Sequence, residues 1–306
     1  MKPETLAGQV IRFQSGFFSV LTESGKTTCV LRGRLKRRTF QGDVISIGDM
    51  VEISLLPDGS GVIEDIKPRQ TELVRLDPTP KGFFRQLLLA NPDQLVAVFA
   101  CTQPEPHLRM LDRFLVIAEK QHLKACVVVN KVDLGGIRSA KKIFEVYPKL
   151  GYPVLYTSAN EGTGLKEFKK VLTGKVSALV GPSGVGKSSL LNAIQPGLGL
   201  AVREISAYNV RGKHTTVVRE MFPVEGGGFV ADLPGLRKLS FWDIEPEELD
   251  GYFPEIRELV SKCQFNDCTH FEEPGCEVIK AVEDGRVSAE RYESYVRMRL
   301  GIIEHK

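Results

Sequence analysis

A glycine-rich segment in the middle of the chain, GPSGVGKS at 181–188, has the spacing of a phosphate-binding loop. It follows an apolar run and opens a helical one, as the G-x-x-x-x-G-K-[ST] pattern requires. Backbone N–H groups at such a turn can bind phosphate oxygens, helped by the helix N-terminus. Lys187 is predicted to neutralise the β- and γ-phosphates, and Ser188 to bind Mg²⁺. The alternative is a glycine-rich turn without a ligand. The predicted phosphate site comprises Gly181, Pro182, Ser183, Gly184, Val185, Gly186, Lys187, Ser188 and Ser189.

A second motif, Asn130-Lys131-Val132-Asp133, ends the apolar run KACVVVN. The Asp133 carboxylate can accept hydrogen bonds from guanine N1–H and the exocyclic amine, a donor pair that adenine lacks. Asn130 is expected to orient the base, and the Lys131 stem to lie against its face. Backbone amides of Ser158 and Ala159, after the next apolar run, could reach guanine O6. The motif predicts a guanine site, although a plain strand-end turn also favours Asn and Asp.

The order of these two motifs is inverted. In an ordinary GTPase the phosphate loop precedes the guanine motif, whereas here residues 130–133 come before 181–188. A complete set of guanine-nucleotide elements in rearranged order indicates a circular permutation of the domain.

Two further segments fit the γ-phosphate switches of a GTPase. Asp232-Leu233-Pro234-Gly235 ends the apolar run GFVAD, so Asp232 suits a water-bridged contact with Mg²⁺ and the Gly235 amide suits the γ-phosphate. The segment RGKHTTVV at 211–218 offers a hydroxyl for Mg²⁺ from either Thr215 or Thr216, and the sequence leaves that choice open. Such a segment orders around the γ-phosphate and loosens after hydrolysis.

Leu236 follows this D-x-x-G motif at the position where many GTPases have a glutamine that orients the attacking water. Leucine cannot hold water, so we expect slow intrinsic hydrolysis. His214 is the nearest polar substitute in sequence, and an exposed loop histidine is the alternative. The predicted catalytic residues are Lys187, His214 and Gly235.

A cluster of Cys263, Cys268, His270 and Cys276 lies within fourteen residues near the C-terminus. Three thiolates and one imidazole form a complete tetrahedral shell for Zn²⁺, which leaves no position for water and predicts one structural zinc ion. The alternative is free thiols or a disulfide, which a reducing compartment disfavours.

Hydrophobic patterning divides the chain at about residues 70 and 240. Residues 1–70 contain five short strands and predict a small OB-fold barrel, and the basic run LRGRLKRR at 31–38 favours RNA binding, although it also fits a solvated face. Residues 71–90 are expected to be a linker. Alternating apolar and helical segments up to 240 predict a parallel sheet with helices on both sides. Residues 241–306 predict a helical tail, whose arginines 286, 291, 297 and 299 are candidates for the RNA surface or for a solvated helix face.

Composition sets limits rather than a function. The chain has 306 residues, 42% of them hydrophobic, and a formal charge of +3, which alone is too small to indicate nucleic acid. Cys29, Cys101 and Cys126 are scattered and are predicted to be reduced core residues. No run reaches the roughly 18 apolar residues of a spanning helix, and the N-terminus lacks the apolar segment of a signal peptide. We therefore expect a cytoplasmic protein without a membrane partner, and a monomer by default.

Taken in order, N-K-V-D, T-S-A, GPSGVGKSS, GKHTT, DLPG and C-x4-C-x-H-x5-C behind a barrel resemble the bacterial RsgA family, also called YjeQ or YloQ. The resemblance covers essentially the whole chain. It implies an α/β circularly permuted P-loop GTPase domain with an N-terminal OB-fold and a C-terminal helical zinc-binding domain. It also implies late maturation of the small ribosomal subunit, binding of its rRNA, slow GTP hydrolysis that the subunit stimulates, and release of another assembly factor.

From the residues alone, two other functions stay open. Leu236 suggests a nucleotide-gated RNA-binding protein with little turnover, which multiple-turnover phosphate release would test. A P-loop ATPase or kinase with a chance N-K-V-D motif is the other alternative, and competition between GTP and ATP would decide it.

Overall fold

The computed structural model describes residues 5–36, 44–79, 82–198, 219–232 and 244–302, with the backbone alone at 75–79, 82–84 and 232. Within these ranges the strands are β1 (Thr5–Gln14), β2 (Phe17–Thr22), β3 (Gly25–Leu31), β4 (Met50–Leu55), β5 (Gly61–Ile66), β6 (Glu72–Thr79), β7 (Gly82–Ala90), β8 (Gln94–Ala100), β9 (Lys124–Asn130), β10 (Val154–Tyr156), β11 (Val176–Val180), β12 (Arg219–Pro223) and β13 (Phe229–Asp232). The helices are α1 (Gly33–Lys36), α2 (Leu108–Lys120), α3 (Val132–Gly135), α4 (Ile137–Ile143), α5 (Val146–Lys149), α6 (Leu165–Leu172), α7 (Lys187–Ile194), α8 (Pro254–Val260), α9 (Glu277–Glu283) and α10 (Ala289–Arg299).

The first five strands close into a barrel in the order β1-β2-β3-β5-β4, and β4 pairs back onto β1. All neighbours are antiparallel except β3 and β5, which gives the connectivity of an OB-fold. Alternating residues such as Val10, Val20 and Ile53 point inward and are fully buried. Gly8 lies where β1 pairs with both neighbours, and an added Cβ would come within 2.5 Å of the Val20 side chain. The predicted barrel is confirmed.

The expectation of a linker at 71–90 is wrong, because β6 and β7 form an antiparallel ribbon that starts at Glu72 and ends at Ala90. Pro78 suggested irregular chain, yet a proline is tolerated where a strand has a free edge. Strand β6 has β7 as its neighbour and no second partner in the described sheets. The side-chain amide of Gln121 then fixes the ribbon to the end of α2, through the backbone N–H and carbonyl of Val74.

The central sheet has the order β10-β9-β8-β11-β13-β12, parallel except for β12. Strand β8 shows why its sequence is apolar throughout. Leu95, Ala97 and Phe99 belong to the core on one face, whereas Val96, Val98 and Ala100 belong to the core on the other. The predicted parallel sheet with both faces covered is confirmed. Strand β12 carries no alternation in sequence and was not predicted.

Strand β12 also joins the barrel to the central sheet. Arg12 and Phe13 of β1 pair with Glu220 and Arg219 of β12, so that one continuous sheet runs through both units. The Arg219 guanidinium additionally donates to the carbonyl oxygen of Leu87 in β7 at 2.7 Å.

The C-terminal helices pack around Phe253, Ile256, Val278 and Tyr295, and Val116 of α2 enters the same core. One of the candidate RNA-binding arginines, Arg291, is buried here rather than on the surface. Its guanidinium contacts Asp112 of α2 at 2.7 Å and Glu255 of α8 at 2.7 Å, and lies 4.5 Å from the ring centre of Phe253. The sequence interpretation of Arg291 as a surface residue is wrong, since three elements enclose it. In the part of the chain that the structure describes, no helix is long and apolar enough to cross a membrane.

Candidate functional site

The phosphate loop and the guanine motif lie at the same edge of the central sheet. Strands β9 and β11 flank β8 and are parallel to it, so the segments after Asn130 and Val180 emerge at the same edge of the sheet, on either side of the end of β8. The Asn130 side chain, 1% exposed, donates from Nδ2 to the carbonyl oxygen of Val185 at 2.9 Å. The swapped order of the two motifs therefore does not separate them in space.

The loop at 181–187 depends on its glycines. Gly181 has φ +142°, and a Cβ there would lie 2.0 Å from the carbonyl oxygen of Val98. Gly186 has φ +93° and sits so close to Asn130 that a Cβ would lie 2.4 Å from Nδ2. The Lys187 ammonium folds over the loop and donates to the carbonyl oxygens of Gly181 at 2.8 Å and Pro182 at 2.9 Å. Ser188 is buried in the first turn of α7. The result is a turn that folds around its own lysine, which is bound to two loop carbonyls.

On the guanine side, Asn130 also orders the turn after β10. Its Oδ1 accepts from the Ala159 amide at 3.3 Å, and the Val132 amide donates to the carbonyl oxygen of Thr157 at 3.2 Å. Ser158 is fully buried. Asp133 Oδ1 is buried without a hydrogen-bond partner, the single such side-chain oxygen or nitrogen in the described ranges. An unpaired buried acceptor is costly unless a ligand supplies a donor.

One part of this edge was missed by sequence reasoning. The segment after β8 lies against the guanine motif, because the Cys101 thiol donates to the carbonyl oxygen of Lys131 at 2.9 Å. The Lys131 ammonium in turn donates to the carbonyl oxygen of Gln103. Pro104 lies 3.8 Å from the position of a Cβ on Gly184. The two hydrogen bonds are accepted by backbone carbonyls and the third contact is made by a proline ring carbon, so no sequence motif predicts them.

The four predicted metal ligands converge, with all ligand atoms within 4.8 Å of one another. His270 Nδ1 lies 3.5 Å from the sulfurs of Cys263 and of Cys276, which are 4.0 Å apart. Bond lengths of about 2.3 Å to sulfur and 2.0 Å to nitrogen place tetrahedral ligand atoms about 3.5–3.8 Å apart. The donor set and its spacing therefore fit a tetrahedral metal ion, and Nδ1 is the His270 nitrogen that faces the cysteine sulfurs.

Outer contacts hold this cluster in shape. Nε2 of His270 lies 3.4 Å from a carboxylate oxygen of Asp250, and this hydrogen bond lowers the Asp250 pKa. Tyr292 donates to the carbonyl oxygen of His270 at 2.8 Å, at a residue with φ +60°. Burial would raise the Glu273 pKa, but hydrogen bonds from the side chain and amide of Thr269 and from nearby amides hold it at about 2. Carboxylate support of a metal-binding histidine orients the ring and fixes its tautomer.

Comparison with known proteins identifies this combination. A family model described as RsgA GTPase matches residues 66–242, and one described as RsgA N-terminal domain matches residues 7–63. The chain belongs to the RsgA GTPase family. The "Small ribosomal subunit biogenesis GTPase RsgA" of Gemmatimonas aurantiaca is 44% identical over 295 residues, which cover 95% of this chain and 96% of that protein. Its counterpart of the same name in Moorella thermoacetica is 42% identical, covering 97% and 98%.

Solved structures of RsgA-like proteins have the same architecture. The crystal structure of YjeQ from Thermotoga maritima has a TM-score of 0.79 at 37% identity, covering 99% of this chain and all of that one. YloQ, described as a circularly permuted GTPase, has a TM-score of 0.74 at 33% identity, covering 98% and 95%. The predicted fold class is confirmed: a circularly permuted P-loop GTPase domain with an OB-like barrel and a C-terminal helical module. As an RsgA-family enzyme, the protein hydrolyses GTP to GDP and phosphate.

Several predicted site residues lie outside the described residues, namely His214, Thr215, Thr216 and Gly235, together with Leu236. The backbone of Asp232 is described. It ends β13 and pairs with Leu179, the second-last residue of β11. The phosphate loop begins directly after β11. The predicted position of Asp232 at the same edge of the sheet follows from that register.

Proposed function

We propose that GTP binds across the carboxyl edge of the central sheet, between the 181–188 loop and the 130–133 motif. The observation that carries this proposal is the hydrogen bond from Asn130 to Val185, which makes the two motifs one contiguous surface. The Asp133 carboxylate accepts hydrogen bonds from guanine N1–H and from the exocyclic amine. Its Oδ1 is free to do so, because no described residue donates a hydrogen bond to it. Lys131, Ser158 and Ala159 enclose the base, as the sequence predicts.

The same proposal assigns the phosphates and Mg²⁺. Backbone amides of 183–189 bind the phosphates. The Lys187 ammonium gives up its hydrogen bonds to the carbonyl oxygens of Gly181 and Pro182 and donates to phosphate oxygens instead. Ser188, Asp232 and one of Thr215 and Thr216 supply oxygens to Mg²⁺, which when bound neutralises phosphate charge. The Gly235 amide contacts the γ-phosphate, and His214 orients the attacking water in place of the leucine at 236.

We also propose that the cluster of Cys263, Cys268, His270 and Cys276 holds one structural Zn²⁺. Supporting this are the donor set, the ligand spacing and the contact of His270 with Asp250. All four tetrahedral positions come from the protein, so the ion organises the loop between α8 and α9 and is not part of the hydrolytic reaction.

In the cell, we infer that the protein acts in the cytoplasm, as a monomer, on the small ribosomal subunit and its rRNA, and assists late maturation and release of another assembly factor. The names of its relatives support this role. The proposed units are a barrel at 1–70, a GTPase domain at 71–240 and a zinc-binding domain at 241–306. The exposed residues of the short helix α1 and the basic residues that follow it are the proposed RNA contacts, although Arg32 and Arg34 also bind Glu64.

Hydrolysis is proposed to be slow alone and faster on the subunit. The test is multiple-turnover phosphate release from GTP by the purified chain, with and without small subunits, together with competition by ATP. Stimulation by small subunits but not by large subunits is expected. Negligible turnover both with and without subunits would favour the alternative of a nucleotide-gated RNA-binding protein with little turnover. Competition by ATP at equal concentration would exclude guanine selectivity.

A further inference from the structure

Two large aromatic side chains are exposed on the turns of the metal centre. Phe265 lies between the ligands Cys263 and Cys268 and is 41% exposed, and Phe271 directly follows His270 and is 42% exposed. The two turns are joined, because the Gln264 amide donates to the carbonyl oxygen of Gly275 at 3.3 Å. Exposed phenylalanines on two hydrogen-bonded turns, rather than on a chain terminus, are typical of a contact surface.

The charge of the surrounding module limits what that contact can be. Residues 244–302 contain fourteen Asp or Glu and seven Lys or Arg, a formal charge of −7, although the whole chain is +3. The rest of the chain therefore carries +10. The protein thus has a basic part, formed by the barrel and GTPase domain, and an acidic part, formed by the C-terminal module.

The acidic excess reaches the aromatic turns. Asp267 and Glu272 are exposed, two residues after Phe265 and one residue after Phe271, and neither carboxylate takes part in an ion pair with any described residue. Lys262 is exposed as well, so these turns carry two such carboxylates against one cation. The arginines of the module are instead engaged. Arg286 pairs with Asp284 and Glu277, and Arg291 is buried. We call the exposed set of Phe265, Asp267, Phe271 and Glu272 the aromatic–acidic surface.

Exposed aromatic rings can stack on the bases of single-stranded RNA or on the guanidinium group of arginine. Charge decides between the two. Nucleic-acid sites line the rings with lysine and arginine to neutralise phosphates, whereas carboxylates beside the rings repel phosphates and attract guanidinium and ammonium groups. We propose that the aromatic–acidic surface binds an arginine- and lysine-rich polypeptide segment of a partner protein, while RNA contacts fall to the basic part of the chain.

The test uses the full-length protein without nucleotide, so that a failure of GTP binding does not affect it. The probe is a fluorescein-labelled 15-residue peptide with eight arginines or lysines and two leucines, and the second probe is a labelled 20-nucleotide oligouridylate. Affinities are measured by fluorescence anisotropy for the wild type, Phe265→Ala/Phe271→Ala and Asp267→Lys/Glu272→Lys. Metal content and thermal unfolding of each variant verify that the module is folded.

Two controls match these substitutions elsewhere. Phe17→Ala removes an aromatic ring that is 57% exposed on the barrel, and Glu145→Lys/Glu161→Lys reverses two exposed carboxylates of the GTPase domain. We expect both surface variants to weaken peptide binding by about tenfold or more while the controls change it less than about twofold. Oligouridylate binding should be unchanged in the aromatic variant.

Three results would overturn the proposal. If the wild type does not bind the peptide at low salt, the surface has another partner. If the control charge reversals weaken peptide binding as much as the reversals on the aromatic–acidic surface, the peptide is attracted by the overall charge of the protein and not by this surface. If Phe265→Ala/Phe271→Ala weakens oligouridylate binding but not peptide binding, the rings stack on RNA bases despite the carboxylates near them.

Discussion

Asn130 and Val185 are 55 residues apart in sequence, yet the Asn130 side-chain amide donates a 2.9 Å hydrogen bond to the Val185 carbonyl oxygen. The same side chain accepts from the amide of Ala159. One buried residue therefore ties the base side of the site, the phosphate loop and the turn after β10 together. The shape of the phosphate loop and that of the proposed base pocket cannot change independently.

Asn130→Ala should disturb both the phosphate loop and the proposed base pocket. It leaves the Val185 carbonyl and the Ala159 amide without their partner, and a buried unsatisfied group costs about 1–3 kcal/mol. We expect the free energy of unfolding to fall by that amount and GTP affinity to drop about tenfold or more, measured by chemical denaturation and nucleotide titration. Asn266→Ala removes an exposed asparagine and is the control. Unchanged GTP affinity in Asn130→Ala would show that the link between the motifs does not shape the site.

Asp133→Asn should change which base is bound without affecting the fold, because Asp133 Oδ1 has no partner in the protein. The amide loses an acceptor for the guanine amine and gains a donor that suits the second carbonyl of xanthine. Loss of charge-assisted hydrogen bonds predicts roughly 10- to 100-fold weaker GTP binding and stronger XTP binding. Competition titrations of GTP against XTP measure this, with the exposed Asp65→Asn as control. If GTP still outcompetes XTP, Asp133 does not read the base.

Asp250→Asn tests the metal centre through its outer contact rather than its ligands. The asparagine cannot accept the proton of His270 as strongly, so zinc affinity should fall about 10- to 100-fold. Chelator competition followed by metal analysis gives the affinity, and Glu258→Gln changes an exposed carboxylate of the same module as control. Protein purified without added chelator should carry about one zinc per chain, and its absence would refute the zinc assignment.

Arg291→Met should detach the C-terminal module from the GTPase domain. Burial lowers the Arg291 pKa, but the carboxylates of Asp112 and Glu255 outweigh it and raise that pKa, so the group is charged. Its removal leaves two carboxylates buried and unpaired, a loss of about 3–5 kcal/mol of unfolding free energy. Arg286→Met, an exposed arginine that also has two acidic partners, should lower the unfolding free energy far less, because water screens its ion pairs. Equal losses in urea denaturation would mean that the buried group does not hold the module.

The prediction for His214→Ala rests on the sequence alone, because residue 214 is not among the described residues. If His214 orients water, turnover in the presence of small subunits should fall by about 100-fold or more, with nucleotide affinity unchanged. Phosphate release and GDP titration separate the two effects. A subunit-stimulated rate equal to that of the wild type would remove His214 from the reaction.

The candidate site was largely predictable because its parts are local. A phosphate loop needs positive φ at Gly184 and Gly186 and lies between a strand and a helix. Both features depend on consecutive residues and can be recognised in the sequence. The metal ligands also lie within fourteen residues. The segment at 101–104 was not predictable, since its contacts with Lys131 are to backbone carbonyls, whose position follows from the sheet order.

The sequence by itself determined the class of chemistry, the permuted motif order, the barrel and the cysteine–histidine cluster, because short-range spacing and alternation encode them. Only the tertiary structure decided that Arg291 is buried, that residues 72–90 form a ribbon and that β12 joins the barrel to the central sheet. Each depends on partners far away in the chain, and the same arginine or strand residues fit an exposed position until those partners pack around them.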